Sequence, residues 1–289
     1  MLSALIKTMR VRQWTKNGFI FFGLIFDKQL FMLDPFLRTV GGFFLFCLVS
    51  SAVYLFNDIA DVEADRNHPE KKYRPIASGK LPIQAAMTAG LLLTAIALPL
   101  GYLLSPVFAL IMAVYLAINM LYSRWLKHVS ILDVLIISSG FVLRVAAGVA
   151  LITVERFSPW LYMITILFSL YIGLGKRRAE MSLLAQSASS HRKVFEGYTI
   201  PLLDQYITIV SGMTIVAYSL YTFSAPNLPE NHAMMLTIPF VVYGIFRYLQ
   251  LIQGGHAAGS PDEVALKDRP LQVTVLLWGL AVIAIFYIS

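Results

Sequence analysis

The chain has 289 residues, 58% of them hydrophobic and only 13% charged, with a mean hydropathy of +0.71. That balance excludes a soluble globule and defines a polytopic membrane protein. A single cysteine, Cys47, lies inside an apolar run, which excludes an intramolecular disulfide and argues against redox chemistry. The N-terminus has bases and then an apolar run but no small-residue cleavage site, so it reads as mature protein.

About 20 apolar residues cross the roughly 30 Å of bilayer hydrocarbon. Nine segments qualify: 17–33, 37–57, 83–104, 106–122, 131–152, 158–175, 205–224, 233–251 and 271–288. The first is interrupted near its end by Asp27 and Lys28, and only Ser105-Pro106 separates the third from the fourth. The expected fold is therefore all-α, with nine transmembrane helices. Of the 23 Lys and Arg residues, 18 fall on the N-terminal side of these spans, and only Lys28, Arg38 and Arg156 on the other. The positive-inside rule places the N-terminus and the long polar loops in the cytoplasm and the C-terminus outside. The net charge of +7 is then a membrane-surface feature. With no soluble domain and no reading element, nucleic acid is excluded as a partner.

Asn57 to Lys80 follows the second span and holds four acidic residues within eight positions: Asp58, Asp61, Glu63 and Asp65. If the helix continues, Asp58, Asp61 and Asp65 recur at i, i+3 and i+7 on one face, with Asn57 beside Asp61. Three such carboxylates repel one another unless a cation joins them. Oxygen-only ligands suit a hard ion such as Mg²⁺, which typically shares protein carboxylates with substrate phosphate oxygens. Arg66, Lys71, Lys72, Arg74 and Lys80 follow and suit phosphate.

Further along, Tyr122-Ser123-Arg124-Trp125-Leu126-Lys127-His128 ends span four, and taken alone fits an interfacial anchor. In span five Asp133 and Arg144 lie 11 residues apart, about 17 Å along the axis, on one face with Gly140 and Gly148 nearby. An arginine so deep should face the bundle interior or a wet cavity. Gly173-Leu174-Gly175-Lys176-Arg177-Arg178-Ala179-Glu180 closes span six; its bases suit either a helix C-terminus or a phosphate clamp. Ser260-Pro261-Asp262-Glu263 through Lys267-Asp268-Arg269-Pro270 precedes the last span as a salt-bridged loop or a lid. All these groups lie on the cytoplasmic side. No HExxH, CxxC or helix-opening GxGxxG is present, so zinc and flavin mechanisms find no motif.

The run NDIADVEADRNHPEKKYRPIASG resembles the first aspartate motif of the UbiA-type prenyltransferase superfamily, N-D-x-x-D-x-x-x-D, at Asn57, Asp58, Asp61 and Asp65. A narrower resemblance is to the branch that transfers phosphoribose to decaprenyl phosphate. It is carried by Arg12-Gln13-Trp14-Thr15-Lys16-Asn17, His68 to Gly79, Tyr122-Ser123, Lys127-His128, GFVLRVAAG, GLGKRRAE and Lys267-Asp268-Arg269-Pro270. Val11 stands where that branch leads one to expect proline. No second D-x-x-x-D motif follows; Lys176-Arg177-Arg178 and Glu180 occupy that helix end, and the extra bases suit a donor with an additional 5-phosphate.

The resemblance implies one integral-membrane domain over residues 1–289, a UbiA-type bundle with a central cavity open to the cytoplasm. The resemblance further implies a bacterial-type inner membrane and a place in cell wall biosynthesis. The implied activity is that of a glycosyltransferase: Mg²⁺-dependent transfer of 5-phosphoribose from phosphoribosyl diphosphate (PRPP) to a polyprenyl phosphate, with release of diphosphate. Asp58, Asp61 and Asp65 are then catalytic and, with Asn57, hold Mg²⁺. Arg74 and Lys80 meet the diphosphate; Lys16, Lys127, Arg144, Lys176 and Arg177 hold the acceptor phosphate and donor 5-phosphate; Tyr122 covers the ribose. Self-association is compatible with this pattern. Two other readings stand. One is a UbiA-type enzyme joining a polyprenyl diphosphate to an aromatic acceptor. The other is a transporter using Asp133 and Arg144 as a charge relay, which requires broken helices and internal repeats.

Overall fold

The structure is a computed structural model that describes residues 1–154, 159–186, 197–225, 228–254 and 267–287. Arg156, Arg192, Lys193 and the Ser260–Glu263 stretch lie outside them. Among the described residues the regular structure is all helix: α1 (Leu2–Thr8), α2 (Phe21–Phe26), α3 (Leu33–Ala60), α4 (Val62–Arg66), α5 (Ile83–Leu104), α6 (Pro106–Arg124), α7 (Leu132–Val149), α8 (Pro159–Gln186), α9 (Ile200–Ser224), α10 (Ile238–Gln253) and α11 (Arg269–Tyr287). Short 3₁₀ helices cover Lys71–Tyr73, Leu126–His128 and Ala233–Thr237, and a longer one Val11–Ile20.

Eight helical segments among the described residues are long and apolar enough to cross a membrane. They correspond to the second to ninth expected spans. The first, 17–33, is not one α-helix. It is the end of the Val11–Ile20 3₁₀ helix followed by α2, and it stops at Asp27 and Lys28, where φ is +58°. There Gln29 Nε2 donates to Asp27 Oδ2 (2.5 Å) and to the Thr153 carbonyl (2.7 Å), a polar turn that ends the helix. A 3₁₀ helix rises about 2.0 Å per residue, so Val11 to Phe26 still extends about 29 Å. Span six also differs, because α8 runs on to Gln186. Lys176, Arg177 and Arg178 therefore sit within the helix, and the helix-end dipole argument for them falls away. Ser105 behaves as the sequence suggests: it caps α6, its Oγ accepting from Phe108 N (3.4 Å), with Pro106 in the first turn.

The chain forms two compact units. The first comprises residues 1–127 and 143–154, the second 128–142 and 155–289, so α7 contributes to both. In the first unit α3 is the hub: over half of its most apolar stretch is buried, and it packs on α5, α6 and the Val11–Ile20 segment. Phe46, Val49, Val53, Phe108, Met112, Tyr115 and Leu151 fill the core. The outer faces of α5 and α6 expose rows such as Leu91, Leu92, Leu103, Val107 and Leu110, as lipid contact requires. In the second unit α8 packs on α9, and α10 on α9 and α11, around Tyr171, Leu174, Leu203, Ile207, Tyr248 and Ile252.

One register match in the first unit positions the N-terminal segment. A 3₁₀ helix repeats every three residues and an α-helix about every 3.6. Asn17, Ile20 and Gly23 thus follow one line, and Arg144 and Gly148 follow another one turn apart. Arg144 Nε donates to Asn17 Oδ1 (2.8 Å), and one turn on Gly148 meets the backbone of Ile20. A Cβ on Gly148 would overlap the Ile20 carbonyl oxygen and lie 2.8 Å from its carbon, so only glycine permits this approach.

Candidate active site

The apolar run of α3 carries straight into Asn57 and Asp58, and the helix ends at Ala60. Asp61, with φ −94° and ψ 4°, leaves the helical path and α4 begins after it. The three aspartates therefore do not stack along one helix. Asp58 lies on α3 and Asp65 on α4, both 3% exposed, while Asp61 sits at the break, 31% exposed at its side chain.

Arg74 joins the two buried carboxylates. Its Nη1 lies 2.7 Å from Asp65 Oδ2 and 3.1 Å from Asp58 Oδ1. The RPIASG run explains how it gets there. Pro75 fixes the chain after Arg74, which is extended at ψ 145°. Ile76 and Leu81 bury beside Leu55 and Ala86. Ser78 N donates to the Arg74 carbonyl (2.9 Å) and Leu81 N to the Pro75 carbonyl (2.9 Å). Gly79 turns with φ +77°, a conformation that favours glycine. Lys80 just beyond is exposed.

Arg10 completes the cluster, and sequence reasoning missed it. Its Nη2 donates to Asp58 Oδ1 (2.7 Å) and its guanidinium stacks 4.7 Å from the Tyr54 ring centroid. Arg10 has φ +51° and ψ +50°, a left-handed conformation that is uncommon outside glycine. The segment is pinned to α3 by Ser51, whose Oγ donates to the Met9 carbonyl (3.1 Å) and accepts from Trp14 Nε1 (3.0 Å). The only sequence trace of this role was Arg10's place two residues before the Arg12-Gln13-Trp14 run.

The Tyr122–His128 constellation also reaches the site. Lys127 pairs with Asp61, and Ser123 Oγ donates to Asn57 Oδ1 and the Asn119 carbonyl. Tyr122 is half-buried beside them. Asn57 thus orients the end of α3 through Ser123. Asp58 Oδ2, Asp61 Oδ2 and Asp65 Oδ1 accept no hydrogen bond from the described residues. Among the described residues no three His, Cys, Asp or Glu side chains are arranged as a metal cage. Carboxylate oxygens are the hard donors that fit a divalent cation sharing its ligands with phosphate.

Deeper in the first unit, Arg144 is 6% exposed and is held in the apolar interior by Asn17, Tyr115 Oη (Nη2, 2.9 Å) and the Tyr115 and Phe46 rings. Asn17 Nδ2 donates on to Ser50 Oγ (3.1 Å) and Cys47 Sγ (3.2 Å). Lys16, next to Asn17, is half-buried.

The second unit holds its own charged network. Arg177 Nε meets the fully buried Asp133 Oδ2 at 2.5 Å, and its Nη1 meets Glu180 Oε2 at 2.6 Å. Tyr198 Oη donates to Asp133 Oδ1 (2.8 Å) and accepts from Ile131 N (2.6 Å). Burial pushes the Tyr198 hydroxyl above the ordinary tyrosine range, and the adjacent Asp133 carboxylate adds to that. Arg178 meets Asp204 Oδ1 (2.6 Å) and the Ile252 carbonyl (3.0 Å), and Lys176 is half-buried. Asp133 and Arg144, expected on one face of span five, bond different groups.

An all-helical membrane bundle with an aspartate cluster at the end of its most enclosed helix defines a class. The UbiA prenyltransferase family model matches residues 18–264, and the chain belongs to that family. It is an integral membrane protein. A Mycolicibacterium smegmatis protein named decaprenyl-phosphate phosphoribosyltransferase is 36% identical, over 100% of this chain and 94% of its own length. One of the same name from Mycobacterium tuberculosis is 34% identical, over 96% and 92%. In fold, the chain is similar to a UbiA homolog from Archaeoglobus fulgidus bound to GPP and Mg²⁺, with a TM-score of 0.70 and 16% identity over 96% of this chain and 99% of that one.

Proposed function

We propose that this protein transfers 5-phosphoribose from PRPP to a polyprenyl phosphate. One observation carries the reading: relatives named decaprenyl-phosphate phosphoribosyltransferase match essentially the whole chain at 33–36% identity. The cluster in the first unit suits the chemistry. The C1–O bond to diphosphate breaks, diphosphate leaves, and an oxygen of the lipid phosphate bonds to C1. That oxygen is already anionic, so the step needs no general base. Asp58, Asp61 and Asp65 would hold Mg²⁺, which neutralises charge on the departing diphosphate. Arg10, Arg74 and Lys127 supply positive charge where the phosphates develop negative charge. Asn57 and Ser123 hold the helix end that presents Asp58. Lys80 remains a candidate for the diphosphate, and Lys16, Tyr122, Arg144, Lys176 and Arg177 for the donor 5-phosphate, ribose and acceptor phosphate. The N-terminus and this cluster face the cytoplasm, with the C-terminus outside.

The test is a transfer assay on purified protein with Mg²⁺, polyprenyl phosphate and radiolabelled PRPP. Label should move into the lipid phase and be lost with Asp61→Ala. Activity instead with prenyl diphosphate and an aromatic acid would replace this reading.

A further inference from the structure

Three carboxylates in the first unit, Asp58, Asp61 and Asp65, face three bases, Arg10, Arg74 and Lys127. The cluster is closed in charge before any ligand binds. A divalent cation ligated by Asp58 would share that carboxylate with two guanidinium groups, since Arg10 and Arg74 both donate to its Oδ1. In a half-buried site like charges at such range repel strongly. A cation arriving alone is therefore opposed, whereas one arriving with a polyanionic phosphate brings the balancing charge.

The two guanidinium groups differ in what holds them. Arg74 bridges Asp58 to Asp65, and so ties α3 to α4. Arg10 bonds Asp58 alone among the three aspartates. Asp58 is 3% exposed while the Arg10 side chain is 33% exposed, so the base has a route to solvent and the carboxylate has none. The Tyr54 ring gives the guanidinium a second support that needs no carboxylate. Its left-handed backbone is a conformation that clusters at binding sites and switches.

We propose that Arg10 is the resident counter-ion of Asp58, one that opposes a divalent cation alone and turns from the carboxylate onto the donor's phosphate when cation and donor load together. This rests on the metal-binding role proposed above for the aspartates. It makes Arg10 a gate on the order of loading, and it makes metal affinity depend on donor.

The test is Mn²⁺ binding to the purified full-length protein, followed by the electron paramagnetic resonance signal of free Mn²⁺, first with Mn²⁺ alone and then with PRPP. Arg10→Gln keeps a hydrogen-bond donor and removes the charge. It should tighten binding of Mn²⁺ alone about tenfold and lose most of the further tightening that PRPP gives the wild type. Arg10→Lys, which restores the charge, should return both towards wild type. Arg10→Met repeats the comparison if the glutamine variant does not fold. Unchanged Mn²⁺ affinity in the neutral variants, with Asp58→Asn still weakening it, would overturn the gate and leave the metal site standing. No Mn²⁺ binding to the wild type, with or without PRPP, would overturn the metal site and the gate with it.

Discussion

Gly148→Ala should be among the costliest single-methyl additions in the first unit. The new Cβ would overlap the Ile20 carbonyl oxygen and sit 2.8 Å from its carbon and 3.1 Å from its Cα. These are backbone atoms, so no side-chain rotation relieves the overlap and the 11–20 segment must move off α7. Overpacking of this kind costs about 1–3 kcal/mol, and here the upper end applies. The movement also pulls Asn17 from Arg144, whose charge-assisted hydrogen bond is worth about 1.5–3 kcal/mol. Alanine's better helix propensity returns about 1 kcal/mol. The net loss is about 4 kcal/mol, or on the order of 10 °C in Tm. Gly18 is the control: it lies on the same segment, and a Cβ there meets nothing within 4 Å. Thermal unfolding in detergent, followed by tryptophan fluorescence, makes the comparison. Gly148→Ala should melt well below wild type, and Gly18→Ala at or slightly above it. Equal melting of Gly148→Ala and wild type would refute the register argument, as would equal damage from both substitutions.

The Asp133–Arg177 pair should show the asymmetry of buried ion pairs. Arg177→Leu leaves a fully buried carboxylate without its guanidinium and should cost about 3–5 kcal/mol, whereas Asp133→Leu with Arg177→Met should cost much less. Melting curves in which the double variant is as unstable as the single would sink this account. Asp268 offers a test in pH. The Arg247 guanidinium, and to a lesser extent the Leu271 N–H it accepts at the start of α11, hold its carboxyl below the usual carboxylate range. A folded pKa below the unfolded one stabilises above the unfolded value, about 3.9, and that gain is lost as pH falls through the folded value. Amide hydrogen exchange at Leu271 should therefore accelerate below about pH 4 beyond its intrinsic dependence, and Asp268→Asn should abolish that step.

The span pattern was legible because a bilayer imposes length and apolarity residue by residue. It failed where backbone geometry, rather than composition, decided the outcome. The 17–33 segment is apolar enough for a helix, but its pairing with α7 is made by a 3₁₀ repeat, which hydropathy does not register. The sequence spacing placed Asp58 and Asp65 near one another, and they do come together around Arg74, though not along one helix. Their common partner Arg74 is nine residues past Asp65, close enough for a motif to carry it. Arg10 is 48 residues from Asp58 and reaches it through a left-handed turn, a pairing that residue spacing does not register. Helical spacing likewise put Asp133 and Arg144 on one face. Each instead bonds groups on other segments, Arg177 with Tyr198 and Asn17 with Tyr115, and sequence distance hides such pairs.

Cys47 packs with no exposed surface and with its sulfur under the Asn17 amide. The protein's one thiol is thereby shielded from aqueous maleimides, and the natural sequence is already a silent background for labelling. A cysteine placed at Tyr73, which is 69% exposed, or at Phe31, 75% exposed, would be the sole reactive thiol. The sidedness of each loop can then be read in intact cells with membrane-impermeant reagents, without first stripping the protein of a residue that its buried polar chain uses.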